Sequence, residues 1–447
     1  MRISIDNVGH VKSADIEVNS ITVIAGNNNT GKSTVGKVLY AMATGLNSLE
    51  PLKIMNEKVE SIQLKLNSLY NLVELDDKIR FWISEIDKFC MQQDFSEDSA
   101  IKNPEEFDKD FSSIVMSQLD NLFGSFVNIQ DTETDSILTR LHQDLIKSLK
   151  RPINDNSFKL NIMQKAFETE FFQQISHLNN PNDSSRICVK ELNQNEINII
   201  FKEHTIVNEG TVLNLSRTFS KAIYIDNPFI LDKQERLLYR FKSRIPSHTE
   251  ALRQILMRRE DNLFELNDRE SKIDSIFNYV LNEGKISRHK GNHYFESSSF
   301  KTPLAFQNLS TGLKSFSIIN ILLKSKWLHE CEYIILDEPE IHLHPDWQLK
   351  FAELVVLMSK EFNFKIIVTS HSPYFIEALE LFAKYHNYYK SVKFYKTHEE
   401  ENRFIIKDFT QNLSELYDDL ANAFYVLEEL RVELKYRKSG ENKDENS

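Results

Sequence analysis

The first 45 residues show three short hydrophobic runs followed by one long helical pattern. Residues 2–8 and 14–18 alternate apolar with polar positions, which predicts a β-hairpin. "SITVIAG" (20–26) is almost continuously apolar, a buried strand running straight into a glycine, and "KSTVGKVLYAMATGL" then opens a helix. From 46 to about 182 the apolar positions recur with helical spacing, as in "NEKVESIQLKLNSLYNLVEL", with breaks at "KNPEEF" and "KRPINDN". Heptads are not sustained there, so a compact helical insertion is expected rather than a coiled-coil arm. β-like pieces follow at "RICVKEL", "INIIFKEH" and "KAIYIDNPFIL", and "GKISRHKGNHYFE" reads as a hairpin. From 308 the order is loop, helix, strand "EYIILDE", helix, strand "FKIIVTSH", helix. Apolar strands alternating with helices predict a buried parallel sheet, hence an α/β fold. The expected organisation is a split core (1–45 and 215–410), a mainly helical insertion (46–214), and a C-terminal helix with a disordered tail (411–447).

Composition narrows the class. With 447 residues, 41% hydrophobic and 27% charged, the chain can fill one core carrying a large insertion, or two or three domains. Residues 1–8 alternate like a strand instead of showing the apolar middle of a targeting segment, and no apolar run approaches the roughly 20 residues of a membrane span. No membrane partner is expected. Three well-separated cysteines (Cys90, Cys188, Cys331) without pairing or metal spacing suit a reducing cytoplasm. The net charge of −12 argues against a generally basic coat for nucleic acid. Arg236, Arg240, Lys242, Arg244, Arg253, Arg258 and Arg259, with a smaller group at Lys147, Lys150 and Arg151, leave two readings open: a solvated helix face or a DNA- or RNA-contacting surface. Glycine is scarce, 11 in all, so Gly26, Gly31 and Gly312 are expected where only glycine suits the backbone.

"GNNNTGKST" (26–34) carries the first chemistry. Gly26, Gly31, Lys32 and Ser33 fit the phosphate-loop spacing between a strand and a helix. Backbone N–H groups and the helix N-terminus would hold phosphates, with Lys32 expected as an exposed loop charge that meets the β- and γ-phosphates. Ser33 would coordinate Mg²⁺, and Thr34 would add a hydroxyl near the α-phosphate. Asn27, Asn28, Asn29, Thr30, Gly31, Lys32, Ser33 and Thr34 therefore form the expected ATP-contacting stretch. Asn29 stands where such loops often carry glycine, and asparagine is the side chain that best tolerates a left-handed backbone.

"YIILDEPEIHLHP" (333–345) supplies a second part. Asp337 ends a buried strand and can reach Mg²⁺ through water, while Glu338 can hold the attacking water and take its proton. In "NLSTGLKSF" (308–316), Ser310 and the Gly312 N–H open a helix whose N-terminus suits a γ-phosphate; an ordinary N-cap by Ser310 has the same pattern. "VTSHSPYF" (368–375) places His371 at another strand end, where it could bond the γ-phosphate or the water, or serve structure alone.

In this order the four stretches resemble an ABC-type ATPase head of the SMC, RecF and OLD group, and "DEPEIHLHPDWQ" is especially similar to OLD-like ATPases. The resemblance is close over about 1–45 and 300–380. It implies an α/β head with an N-terminal antiparallel β part, ATP and Mg²⁺ as cofactors, and two heads sandwiching ATP. Ser310 and Gly312 would then act in trans, Glu338 as base and His371 as γ-phosphate sensor. "LHP" (343–345) would face the partner head; His342 and His344 could ligate a metal, but the same spacing arises from alternation beside a helix start. Too few residues follow His371 for the nuclease domain of OLD nucleases, and "YDDLANAFYVLEEL" reads as a helix. Nothing local selects between Gln130 and Gln164 as the Mg²⁺-contacting glutamine. The resemblance extends to standalone ATPase subunits of two-gene antiphage defence systems. It implies an ATPase whose head dimerisation gates a separately encoded effector such as a nuclease, in defence or DNA repair. A nucleotide-dependent scaffold with slow hydrolysis is the alternative. A transporter's nucleotide-binding subunit fits poorly, because its phosphate loop and signature lie much closer together.

Overall fold

The computed structural model describes residues 1–72, 83–86, 88–90, 104–124, 132–152, 155–177, 180, 182–190, 196–213, 220–232, 245–257, 267–281, 284–289, 292–325, 328, 331–420 and 425–434. The chain forms two compact units, one of residues 1–43, 167–235 and 246–447, the other of 44–166 and 236–245.

Among the described residues, the first unit is built on a 12-stranded sheet. Its strands are β1 (Arg2–Val8), β2 (Val11–Glu17), β3 (Ile21–Ala25), β4 (Ser185–Lys190), β5 (Glu196–Lys202), β6 (Thr205–Ile206), β7 (Val212–Leu213), β8 (Lys221–Ile225), β12 (Cys331–Asp337), β13 (Lys365–Ser370), β14 (Val392–Glu400) and β15 (Arg403–Asp408). A separate three-stranded antiparallel sheet holds β9 (Lys285–His289), β10 (Asn292–Glu296) and β11 (Leu304–Ala305). In the large sheet the order β14-β3-β13-β12-β8 is parallel throughout. All five residues of β3 are buried, as its unbroken apolar run requires of a central parallel strand. Helices α1 (Lys32–Asn47), α6 (His248–Met257), α7 (Asn267–Val280), α8 (Thr311–Lys324), α9 (Pro345–Phe362), α10 (Pro373–Tyr385) and α11 (Leu413–Leu420) accompany these strands. The core gathers Val23, Leu336 and Val368 from the sheet with Phe316, Phe351 and Phe375 from α8, α9 and α10.

On the other side β15 pairs antiparallel with β14 and parallel with β2, and beyond β2 the pairing is antiparallel: β1 pairs with β2, β4 with β1, and β5 with β4. The insertion expected to run to 214 ends earlier. Strands β4 to β7 belong to the main sheet, because β1 offers a second edge that seats Ile187 beside Ile5 and Val189 beside Ile3. Another departure lies at 392–408, where the sequence pattern yields no element. There β14 lies between β3 and β15, near the middle of the sheet. Its charged and hydroxyl residues hide the strand signal: Lys396 is buried against Asp419, and Thr397 is buried beside the phosphate-loop segment.

The second unit contains α2 (Pro51–Leu72), α3 (Pro104–Gly124) and α4 (Thr132–Lys150), and α5 (Asn156–Phe171) begins in it. Pro104 opens α3 with Glu105 and Glu106 in the first turn, a favourable start against the helix dipole. Val59, Ile62 and Leu66 of α2 meet Val115, Leu119 and Leu122 of α3 and Leu145 and Leu149 of α4. Each set has helical spacing on one face. Lys58 is buried with them and is held by Asp108 at 2.5 Å and Ser112 at 2.9 Å. Lys147 and Lys150 stand in the last turn of α4, where the helix's negative end accounts for them. Of the other basic group only Arg253 lies among the described residues, on α6 with its Nε donating to the Ile230 carbonyl at 3.3 Å. Arg236, Arg240, Lys242, Arg244, Arg258, Arg259, Gln130 and the tail from 435 lie outside them.

Candidate functional site

Three parallel strands deliver the site. β3 ends at Ala25 and hands the chain to the glycine loop, β12 ends at Asp337, and its neighbour β13 ends at Ser370. Register places Asp337 beside Thr369 and Ala25 beside Ser370, so all three ends open on one edge. Ligands bind at that edge in open α/β sheets.

The loop is shaped by close packing. A side chain at Gly26 would run into Thr397 Oγ1, and one at Gly31 would come within 2.6 Å of Val11 Cγ2 while the backbone there has φ +85°. Asn29 adopts φ +63°, the left-handed conformation expected of it. Asn27, Asn28 and Asn29 are exposed; Thr30 is buried and donates its hydroxyl to the Asn27 carbonyl at 2.8 Å. Thr397 reaches in from β14 to donate to Thr30 Oγ1 at 3.0 Å. Thr34 continues into α1, its N–H bonded to the Gly31 carbonyl at 3.1 Å.

Lys32 departs from expectation. It is buried, 3% exposed, and its ammonium donates to the Asn27 carbonyl at 2.7 Å and pairs with Glu338 Oε1 at 3.0 Å. The loop curls over its own lysine, and the acid that follows β12 supplies the counter-charge.

Asp337 collects three hydroxyls. Ser33 Oγ donates to Oδ1 at 3.0 Å, Thr369 Oγ1 donates to the same oxygen, and Tyr224 donates to Oδ2 at 2.7 Å. Ser33 and Asp337 thus meet as an oxygen pair, the hard donor type that suits Mg²⁺. Glu338 follows in a left-handed conformation, φ +47°, unusual for a side chain of its kind. Its N–H is shared between the Thr369 carbonyl at 3.1 Å and Thr369 Oγ1 at 3.0 Å. That turn aims its carboxylate at Lys32 on one side and at His371 Nδ1, 3.4 Å away, on the other.

Glu340, which the motif reading passed over, organises this corner. It is 1% exposed, and its Oε1 accepts from Ser370 Oγ at 2.5 Å and from the His371 N–H at 3.1 Å. Burial pushes its pKa up, against the hydrogen bond from Ser370 and the neighbouring His371. The second acid of "DEPE" was the available signal. Thr369, Tyr224 and Thr397 also belong to the site; Thr369 stands inside the "VTSHSPYF" stretch, whereas only the places of Tyr224 and Thr397 at strand positions beside motif residues could have indicated them.

Ser310 and Gly312 sit elsewhere. Ser310 is exposed and caps α8, its Oγ accepting from the Leu313 N–H at 3.4 Å. A side chain at Gly312 would meet Trp347 at 3.1 Å, so packing against α9 explains this glycine. Among the described residues, no hydrogen bond or ion pair joins either one to Lys32, Ser33, Asp337 or Glu338. His344 caps α9, its Nδ1 accepting from the Asp346 N–H at 3.4 Å, and the His342 ring lies edge-on to Phe229 at 5.4 Å. Among the described residues no cluster of three His, Cys, Asp or Glu side chains could hold a metal, and no helix is long and apolar enough to cross a membrane.

Residues 1–376 match the family described as AAA ATPase domain, and the chain belongs to that family. A search of curated proteins returns no match. Among solved structures, the chain is similar to the SMC head domain from Thermotoga maritima, with 10% identity, TM-score 0.37, and 91% of this chain and 97% of that one covered. It is also similar to an SMC head bound to the C-winged helix domain of ScpA, with 10% identity, TM-score 0.42, and 93% and 98% covered. The SMC head with an extended coiled coil from Pyrococcus furiosus shows 9% identity and TM-score 0.34, with 96% and 98% covered. At such distances function has to be read from this chain's own residues.

Proposed function

We propose that the chain is a Mg²⁺-dependent ATPase that hydrolyses ATP to ADP and phosphate. One observation carries the reading: Lys32 with Glu338, and Ser33 with Asp337, meet at 3.0 Å each although some 300 residues separate the partners. The loop from Asn27 to Thr34 would hold the phosphates. Ser33 and Asp337 would hold Mg²⁺, which when bound neutralises charge on the phosphate oxygens. Glu338 accepts a proton from water as the water oxygen bonds to the γ-phosphorus and the bond to ADP breaks. His371, anchored by Glu340 through its own N–H, faces Glu338 and stands ready to sense the γ-phosphate.

The exposed cap at Ser310, unconnected to its own chain's loop, supports a second part of the proposal. A second head would present Ser310 and Gly312 to the ATP of the first, and closure of the two heads would gate a separately encoded effector, a nuclease in antiphage defence or DNA repair. Steady-state phosphate release by the purified chain, with and without DNA and Mg²⁺, tests the catalytic part. No Mg²⁺-dependent turnover under any condition would refute it, and turnover too slow for steady cycling would favour a nucleotide-timed scaffold.

A further inference from the structure

Tyr224 lies on β8, outside every recognised motif, yet it completes the surroundings of Asp337. It is 1% exposed, and its hydroxyl donates to Oδ2 at 2.7 Å, the carboxylate oxygen left over by Ser33 and Thr369. A phenol keeps its proton at neutral pH and a carboxylate oxygen can only accept, so this group acts as the donor. The ring is fixed as well: Tyr40 of α1 packs edge-on at 6.3 Å and His248 leans on it at 4.6 Å. His248 is clamped in turn, with Nδ1 2.6 Å from Glu170 and Nε2 3.0 Å from Asp226. Its backbone N–H also donates to Glu170 at 2.8 Å. A metal-binding carboxylate is commonly oriented by a donor on its other oxygen, and loss of that donor weakens the metal rather than the fold.

We propose that Tyr224, braced by His248, is a positioning residue for the metal: it fixes Asp337 so that Oδ1 faces Ser33. The inference rests on the ATP–Mg²⁺ reading above and deepens it. Tyr224→Phe removes one oxygen and keeps the ring. Binding of a fluorescent ATP analogue to the full chain, titrated with Mg²⁺ and repeated in EDTA, reads the effect. The expected result is about a tenfold rise in the Mg²⁺ needed for half-maximal binding, with affinity in EDTA and the unfolding temperature close to wild type. An unchanged Mg²⁺ midpoint overturns the proposal, and so does an equal loss of affinity in EDTA, since that marks a merely structural effect. If Tyr224→Phe does not fold, His248→Gln decides: a raised midpoint supports the brace and an unchanged one overturns it. Wild-type protein that binds the analogue with no response to Mg²⁺ instead refutes the underlying metal reading, an outcome visible before any variant is made.

Discussion

Lys32 Nζ lies 3.0 Å from Glu338 Oε1, so the phosphate-loop cation and the candidate base neutralise one another across the site. A γ-phosphate must therefore compete with Glu338 for Lys32. Winning that competition would free the carboxylate to face water, which ties activation of the base to arrival of the nucleotide.

Lys32→Ala is expected to abolish tight ATP binding while the chain stays folded. Calorimetric titration with ATP checks this, with circular dichroism to show that the variant is folded. Because the Lys32 ammonium also bonds the Asn27 carbonyl, its loss loosens the loop that the phosphates need. Binding within a few-fold of wild type by a folded variant would refute the assignment.

Much of this site was legible because its chemistry sits at strand ends that are themselves apolar runs. "SITVIAG", "EYIILDE" and "FKIIVTSH" each became a parallel strand, and Asn29 took the left-handed backbone that its place in the loop required. What stayed hidden depends on pairing between distant segments. The burial of Lys32 follows from Glu338, 306 positions away by number, and exposure cannot be read from the loop alone. Tyr224 acquires its role only because β8 lies parallel to β12, with Ile225 beside Leu336. β14 was missed because Lys393, Lys396 and Thr397 interrupt its apolar positions, although Lys396 and Thr397 are both buried. Packing with Asp419 and Thr30 satisfies them, and neither partner is near in sequence.

Glu340 should matter for both stability and turnover. Glu340→Ala leaves the Ser370 hydroxyl and the His371 N–H without their buried acceptor, at a cost of about 1–3 kcal/mol. Glu340→Gln keeps an amide oxygen that can stand where Oε1 accepts from both of them, and should cost less. Urea denaturation should rank the variants in that order, and phosphate release should fall in the alanine variant, where His371 loses its anchor. Equal stability of the alanine variant and wild type would remove Glu340 from this role.

His248 predicts a specific pH response. Burial opposes its charge, but hydrogen bonds to Asp226 and Glu170 outweigh burial and push the pKa up to about 9. The unfolded value is about 6.5, so the folded chain keeps a proton that the unfolded chain loses between these limits. The contribution is complete below about pH 6.5 and fades as pH rises through about 9. Asp226, Glu170, Tyr224 and Tyr40 face the ring. Wild-type stability should therefore fall more steeply from pH 6.5 to 9 than that of His248→Gln. Parallel curves for the two proteins would show that His248 is not held as a cation.

Glu338→Gln separates binding from chemistry. Glutamine cannot accept a proton at neutral pH, so hydrolysis should fall by roughly 10²–10⁴-fold, the usual share of a general base. Binding should survive, because Ser33 and Asp337 remain paired and Lys32 loses only the competitor that the phosphate has to displace. If a second head supplies Ser310 and Gly312, ATP that is bound but not hydrolysed should hold the two heads together. Mass alone could miss this in a protein that also assembles through other surfaces, so the contact itself is the better readout. A cysteine placed beside Ser310 and another beside Ser33 would cross-link between chains only across such a contact. ATP should increase that cross-link in the Glu338→Gln protein. Adding Ser310→Arg should abolish it, since the exposed cap would then carry bulk and charge at the seam. A cross-link indifferent to ATP, or one that tolerates Ser310→Arg, would show that two heads of this chain do not close over the nucleotide.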